Sequence, residues 1–192
     1  MKLEIESKTD KELRFVLSDA PLEFANLLRR YAISSVQTFA ITEAAFYENT
    51  SSFFDEYISH RLGLIPLTTP SKLKSDEEVT LMIDAEGPAV VYSGNMKSTD
   101  KAVKPVSDKI PIIKLSEGQR LRVEAKALPG TARTHAKYQP GIISYGYENE
   151  DTFRFVIESY GQMDAEDILA RAISQIQSNA EDIEKLLEKH EA

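Results

Sequence analysis

The chain has no cysteine and no tryptophan. Without a thiol there is no disulfide, no thiolate zinc site, no iron–sulfur cluster and no cysteine nucleophile. Histidine is scarce too. His60, His135 and His190 stand far apart with no short ligand spacing, so a metal site would need histidines and carboxylates gathered from distant segments. No apolar run approaches the roughly 20 residues of a membrane span. The opening MKLEIESKTD alternates charged and apolar residues where a signal peptide would have an apolar block, so a cytoplasmic protein without membrane association is expected. P-loop, GxGxxG and GxSxG motifs are all missing. Positive charge is in deficit, with 23 Lys and Arg against 31 Asp and Glu and a net charge of −8. Binding nucleic acid independently calls for a basic face, because phosphate neutralisation supplies most of the affinity. Here the basic residues scatter, with small clusters only at Arg29-Arg30 and from Arg133 to Lys137. Independent nucleic-acid binding is therefore not expected.

What is present is an ordinary globular balance: 192 residues, 42% hydrophobic and 28% charged, enough for one domain or two small ones sharing a core. KLEIE at 2–6 alternates as a strand does. ELRFVL at 12–17 puts Leu13, Phe15 and Leu17 on one face, and the polar residues between suggest a hairpin. In the next stretch Ser18 or Asp19 can cap a helix and Pro21 suits its first turn. Phe24, Leu27, Leu28 and Tyr31 then form an apolar stripe over about four turns. TFAITEAAFY at 38–47 returns to a strand. In FFDEYISHRLGLIPL, Phe54, Tyr57, Ile58 and Leu62 recur at helical steps until Gly63 and Pro66 end the pattern. A polar loop at 68–78 leads into mostly strand signals from 79 to about 128. Residues 129–141, bounded by Pro and Gly, read as an ordered loop, and 151–160 as one more strand.

After Gly161, Asp164 can cap a helix, with Glu166 and Asp167 in the first turn where the dipole favours them. Leu169, Ile173, Ile176, Ala180, Ile183, Leu187 and His190 then step by alternating fours and threes, an a/d seam of about three heptads. Such a helix, roughly 40 Å long at 1.5 Å per residue, outreaches a small sheet. The seam packs either on helices of another chain or wholly on its own sheet, and its narrow regularity favours the former. The order suggests one α+β layer, made from both ends of the chain, interrupted by a β-rich lobe.

The polar candidates each admit two readings. His60-Arg61 on a helix could move protons or bind phosphate, but without HExxH-type spacing a structural or interface role is the better reading. Arg133, His135 and Lys137 with Tyr138 could grip a phosphate or a nucleic-acid strand; given the net charge, a surface loop docking on an acidic partner is favoured. Arg29-Arg30 form either an anion site or, preferably, an interface contact.

Three segments, FANLLRRYAISSVQTFAI, DEYISHRLGLIPL and GTARTHAKYQP, resemble in order and spacing the signature blocks of the D-subunit family of archaeal DNA-directed RNA polymerase. That family is the counterpart of the third-largest subunit of RNA polymerase II and of the bacterial alpha N-terminal domain. The match covers nearly the whole chain. The short length favours the archaeal form. The resemblance implies an α+β fold: a discontinuous dimerisation domain, a sheet plus two helices, at 1–48 and 150–192, interrupted by an inserted β-rich domain at 49–149. It implies a non-catalytic platform in a nucleotidyltransferase complex that serves transcription. Such a platform pairs with small subunit L as a heterodimer, is joined by subunits N and P, and then nucleates assembly of the large catalytic subunits. By this likeness Phe24, Leu27, Leu28, Tyr31, Leu169, Ile173, Ile176, Ala180, Ile183 and Leu187 face L. Arg29, Arg30, His60, Arg61, His135, Lys137 and Gln139 face other subunits, the HAKYQP loop most of all the second-largest. Many relatives carry clustered cysteines for zinc or iron–sulfur clusters near the insert. None is present here, so no cofactor is expected. The competing readings are a homodimeric binding module using the same seam, or a stand-alone enzyme using His60 or His135.

Overall fold

A computed structural model describes residues 1–71 and 77–191, with side chains as far as Lys189. The elements in chain order are β1 (Lys2–Lys8), β2 (Glu12–Ser18), α1 (Leu22–Ser34), β3 (Thr38–Asn49), α2 (Asp55–Gly63), β4 (Val79–Glu86) and β5 (Ala89–Tyr92). Then follow β6 (Lys97–Ser98), β7 (Pro111–Leu115), β8 (Arg120–Gly130), β9 (Gly141–Asn149), β10 (Thr152–Ser159) and α3 (Ala165–Glu191). The chain divides into two compact units. Met1–Gln37 and the segment from Thr131 onward form the first, and Thr38–Gly130 form the second. This is an α+β protein with a β-rich insertion in a discontinuous unit. The boundaries differ from those expected at 48/49 and 149/150. β3 pairs along nearly its whole length with β8 and so belongs to the insertion. β9 pairs with β10 and so belongs to the first unit.

In the first unit four antiparallel strands lie in the order β1-β2-β10-β9. Alternation along β2 and β10 turns Leu13, Phe15, Leu17, Phe153, Phe155 and Ile157 to one face, where all are buried. The rings of Phe15 and Phe155 stack with centroids 4.9 Å apart. α1 and α3 cover that face with Ala25, Leu28 and Ala32 from one helix and Ala165, Ile168, Leu169 and Ala172 from the other. Each large side chain so buried contributes about 1.5–3 kcal/mol. The expected cap of α1 by Ser18 or Asp19 does not form. The N-cap is Pro21, with no side-chain cap. Asp19 instead takes a turn conformation with φ 54°, and its carboxylate lies 3.4 Å from Lys2. Proline lacks only an N–H that a helix start leaves unused.

The second unit holds a sheet in the order β3-β8-β4-β6 and a two-stranded β5-β7 ladder. Its core includes Phe39, Leu81, Ile83, Leu115 and Leu121, with Ile58 and Leu62 of α2 packed into it. Only half of the apolar stripe expected on α2 is used. Phe54 is the N-cap rather than a helical residue and is 81% exposed, and Tyr57 is exposed beside it. Of the loop expected at 68–78, residues 72–76 lie outside the described residues. The loop expected at 129–141 is shorter than read: β8 runs to Gly130, Ala136–Tyr138 form a 3-10 turn, and β9 begins at Gly141.

Candidate subunit interface

α1 turns two faces in different directions. Ala25, Leu28 and Ala32 pack on the sheet. Phe24 and Tyr31 sit half-buried at the rim, and Leu27 is exposed. α3 behaves likewise in its first turns, and then it runs on without cover. Ile176 is half-buried against the first unit's core, whereas Ile173, Ala180, Ile183 and Leu187 are exposed, as is Leu186. Every described side chain from Glu181 to Lys189 is exposed.

The expected partner-facing set therefore needs correction at two positions. Leu28 is 3% and Leu169 8% exposed, both inside this chain's own core, so they hold the helices to the sheet. His190, the last seam position, lies outside the described side chains.

Polar side chains tie α1 to α3 beside this stripe. Asn179 Nδ2 donates to the Tyr31 hydroxyl at 3.0 Å, and Gln175 Nε2 donates to Asn179 Oδ1 at 2.9 Å. The Arg133 guanidinium lies 5.6 Å from the centre of the Tyr31 ring, within cation–π reach. Arg30 and Arg133 line an open groove of about 710 Å³ floored by Leu27 and Tyr31. Sequence reasoning missed Gln175 and Asn179. Their signal was present as amide side chains four residues apart, flanking seam position Ile176.

Several of the remaining candidates also make contacts within their own unit. Arg29 donates to Asn26 Oδ1 at 3.0 Å. His135 Nδ1 accepts the Lys137 backbone N–H at 3.0 Å and caps the 3-10 turn. Gln139 Nε2 donates to the Gly141 carbonyl at 2.8 Å. Burial lowers the pKa of Lys137 and raises that of Tyr138, and the Lys137 ammonium lies 5.4 Å from the Tyr138 ring centre. The loop is thus ordered from within. His60 and Arg61 belong to the second unit. His60 is exposed. Arg61 donates to the carbonyls of Ile112, at 2.9 Å, and Pro111, and its guanidinium lies over Tyr57. Arg61, expected to face another subunit, also ties its own unit together, because α2 packs beside β7.

Among the described residues no three His, Asp or Glu side chains gather as a metal-binding group. No described helix is long and apolar enough to cross a membrane. The geometry suits protein–protein contact: a half-covered apolar stripe on two helices, flanked by an arginine-lined groove and ordered polar loops.

The known proteins that match this chain are RNA polymerase subunits. Residues 44–145 match the family described as "RNA polymerase Rpb3/RpoA insert domain", a match that begins inside β3 and ends inside β9. DNA-directed RNA polymerase subunit Rpo3 of Pyrococcus furiosus is 49% identical over 154 residues, 77% of this chain and 59% of that one. Subunit Rpo3 of Methanocaldococcus jannaschii is 43% identical over 169 residues, 88% of this chain and 87% of that one. The Halobacterium salinarum subunit is 40% identical over 89% of this chain and 68% of its own length. The chain spans about three-fifths of the Pyrococcus and Thermococcus relatives it matches. Insert, discontinuous α+β unit and relatives agree: the chain belongs to the family of archaeal DNA-directed RNA polymerase subunit Rpo3.

Proposed function

We propose that this chain is a non-catalytic assembly platform of DNA-directed RNA polymerase. It pairs through α1 and the open stripe of α3 with small subunit L. The pair is joined by subunits N and P and docks the large catalytic subunits, the second-largest above all. One observation carries this reading: α3 keeps an open apolar stripe, Ile173, Ile183 and Leu187, the last two beyond the reach of its own sheet, in a family of polymerase subunits. Large apolar side chains left open at regular spacing favour association. Arg29, Arg30, His135, Lys137 and Gln139 on the first unit, and His60 with the outer side of Arg61 on the second, then serve contacts with other subunits. With no thiol in the sequence, the platform works without an iron–sulfur cluster or thiolate zinc, in the cytoplasm.

The test is a tagged pull-down from native cells at moderate salt, with co-purifying chains identified by mass spectrometry. The expected result is recovery of a small subunit together with very large chains and RNA synthesis activity. Recovery of the tagged chain as a lone monomer or homodimer would overturn the proposal.

A further inference from the structure

α3 has two halves held by different means. The first is anchored: Ala165, Ile168, Leu169 and Ala172 are buried in the first unit's core, and Ile176 packs against it. Among the described residues the last hydrogen bond from α3 to α1 is at Asn179, whose amide donates to the Tyr31 hydroxyl at 3.0 Å. Beyond it the helix runs on to Glu191. Every described side chain from Ala180 onward is exposed. The polar contacts of this stretch stay within the helix, with Gln177 donating to Glu181 at 2.9 Å and Lys185 pairing with Asp182 at 3.3 Å.

The distal half, from Ala180 to Glu191, therefore stands on its own sequence. It is about three turns long, and a helix so short is marginal in water unless something packs on it. The anchored half supplies the nucleus, but each residue added after it gains little. Side-chain pairs four residues apart do not lock it. Glu181–Lys185 and Ile183–Leu187 attract, whereas Glu184–Glu188 and Lys185–Lys189 repel. Each such pair changes the helix population by less than about threefold. Glu184, Glu188 and Glu191 also put negative charge toward the C-terminal end, where the helix dipole disfavours it. Local opening follows tertiary cover, and the cover stops at the middle of this helix.

We infer that distal α3 opens and refolds by itself while the rest of the first unit stays folded, and that pairing closes it. The closure rests on the pairing proposed above; the opening does not. Ile183, Leu186 and Leu187, each more than half exposed, lie on one side of the helix. Covering them supplies the apolar burial that the free helix lacks. The cost of ordering is then drawn from the binding free energy, and the apparent affinity scales with the fraction of distal α3 that is already helical. An unpaired subunit thus carries an open end that assembly closes.

Amide hydrogen exchange followed by NMR tests both parts, on the full chain at a concentration where sedimentation shows a monomer. The expected result is exchange at Leu186 and Leu187 within about tenfold of the coil rate, against protection of about a thousandfold or more at Ile168 and Ala172. Equal protection at the two ends of α3 overturns the inference. With saturating purified small polymerase subunit from the same genome, Leu186 and Leu187 should slow by about tenfold or more. A complex in which they stay fast overturns the closure and leaves the pairing standing; no complex overturns the pairing, and the closure with it. Lys185, about 200° around the helix from both Ile183 and Leu187, separates ordering from contact. Lys185→Gly lowers helix propensity and should weaken pairing by about three- to fivefold, while Lys185→Ala, which keeps the propensity, should not. Unchanged affinity in the Gly variant would mean that distal α3 binds without an ordering cost, and would overturn the closure.

Discussion

Ile183 separates pairing from folding better than any other position on α3. It is 59% exposed, lies several turns beyond the last α3 residue buried in the core, Ala172, and occupies a seam position. A partner that covered its open three-fifths would gain about 1–2 kcal/mol from this side chain. Ile183→Ala should therefore weaken pairing by about 5- to 30-fold. Ile183→Asp adds the cost of an unpaired buried charge, and the combined loss of about 4 kcal/mol or more weakens pairing by about a thousandfold. Neither variant should move the stability of the isolated chain by more than about 0.5 kcal/mol, because among the described residues the site stands mostly open. Titration calorimetry with the small subunit and urea unfolding of each variant supply the two numbers. Wild-type affinity in the Asp variant would refute the reasoning. So would a large drop in urea midpoint, since it would mean that Ile183 is covered within its own chain.

Three further outcomes follow from the packing. Leu28→Ala, at 3% exposure, should cost about 2–5 kcal/mol of stability; a urea midpoint like that of wild type would contradict its place in the core. Arg61→Ala removes the donors to the Ile112 and Pro111 carbonyls and should destabilise the second unit by about 1–3 kcal/mol. A purely intersubunit role predicts no change in thermal unfolding. Gly141→Ala would drive a Cβ into the Glu158 carbonyl oxygen, well inside van der Waals contact. The β9-β10 ladder would have to shift, costing more than about 1 kcal/mol, and unchanged amide exchange at Glu158 and Ser159 would speak against that close approach.

Some of this was legible in the sequence because the periodicity was strong. The alternation of Leu13, Phe15 and Leu17 gave β2, and the helical steps of α1 and α3 gave two helices in the first unit. β9 was missed. Gly141 and Gly146 interrupt its pattern, its outward Ile142 is apolar, and Tyr147 on the core side is exposed, so the polar–apolar alternation that marks a half-buried strand is blurred. The domain boundaries slipped for a related reason: strand assignment fixes where a strand lies but not which sheet it joins, and β3 and β9 each joined the less obvious one. Within the interface, spacing located the stripes but not the point at which the sheet stops supporting them. Leu169 and Ile183 occupy equivalent heptad positions, yet one is buried in the core and the other stands in the open. That difference depends on the reach of a sheet contributed by strands far away in sequence. The i,i+4 spacing of Gln175 and Asn179 was visible, but the tie from Asn179 was not, since its partner, Tyr31, lies on a different helix.

The central claim is that the α1–α3 face binds a smaller partner. Native mass spectrometry of this chain co-expressed with the small polymerase subunit from the same genome tests it most directly. A one-to-one complex that survives dilution, and that Ile183→Asp abolishes, is the predicted result. A chain that stays monomeric, or pairs only with itself in the presence of excess small subunit, would contradict it.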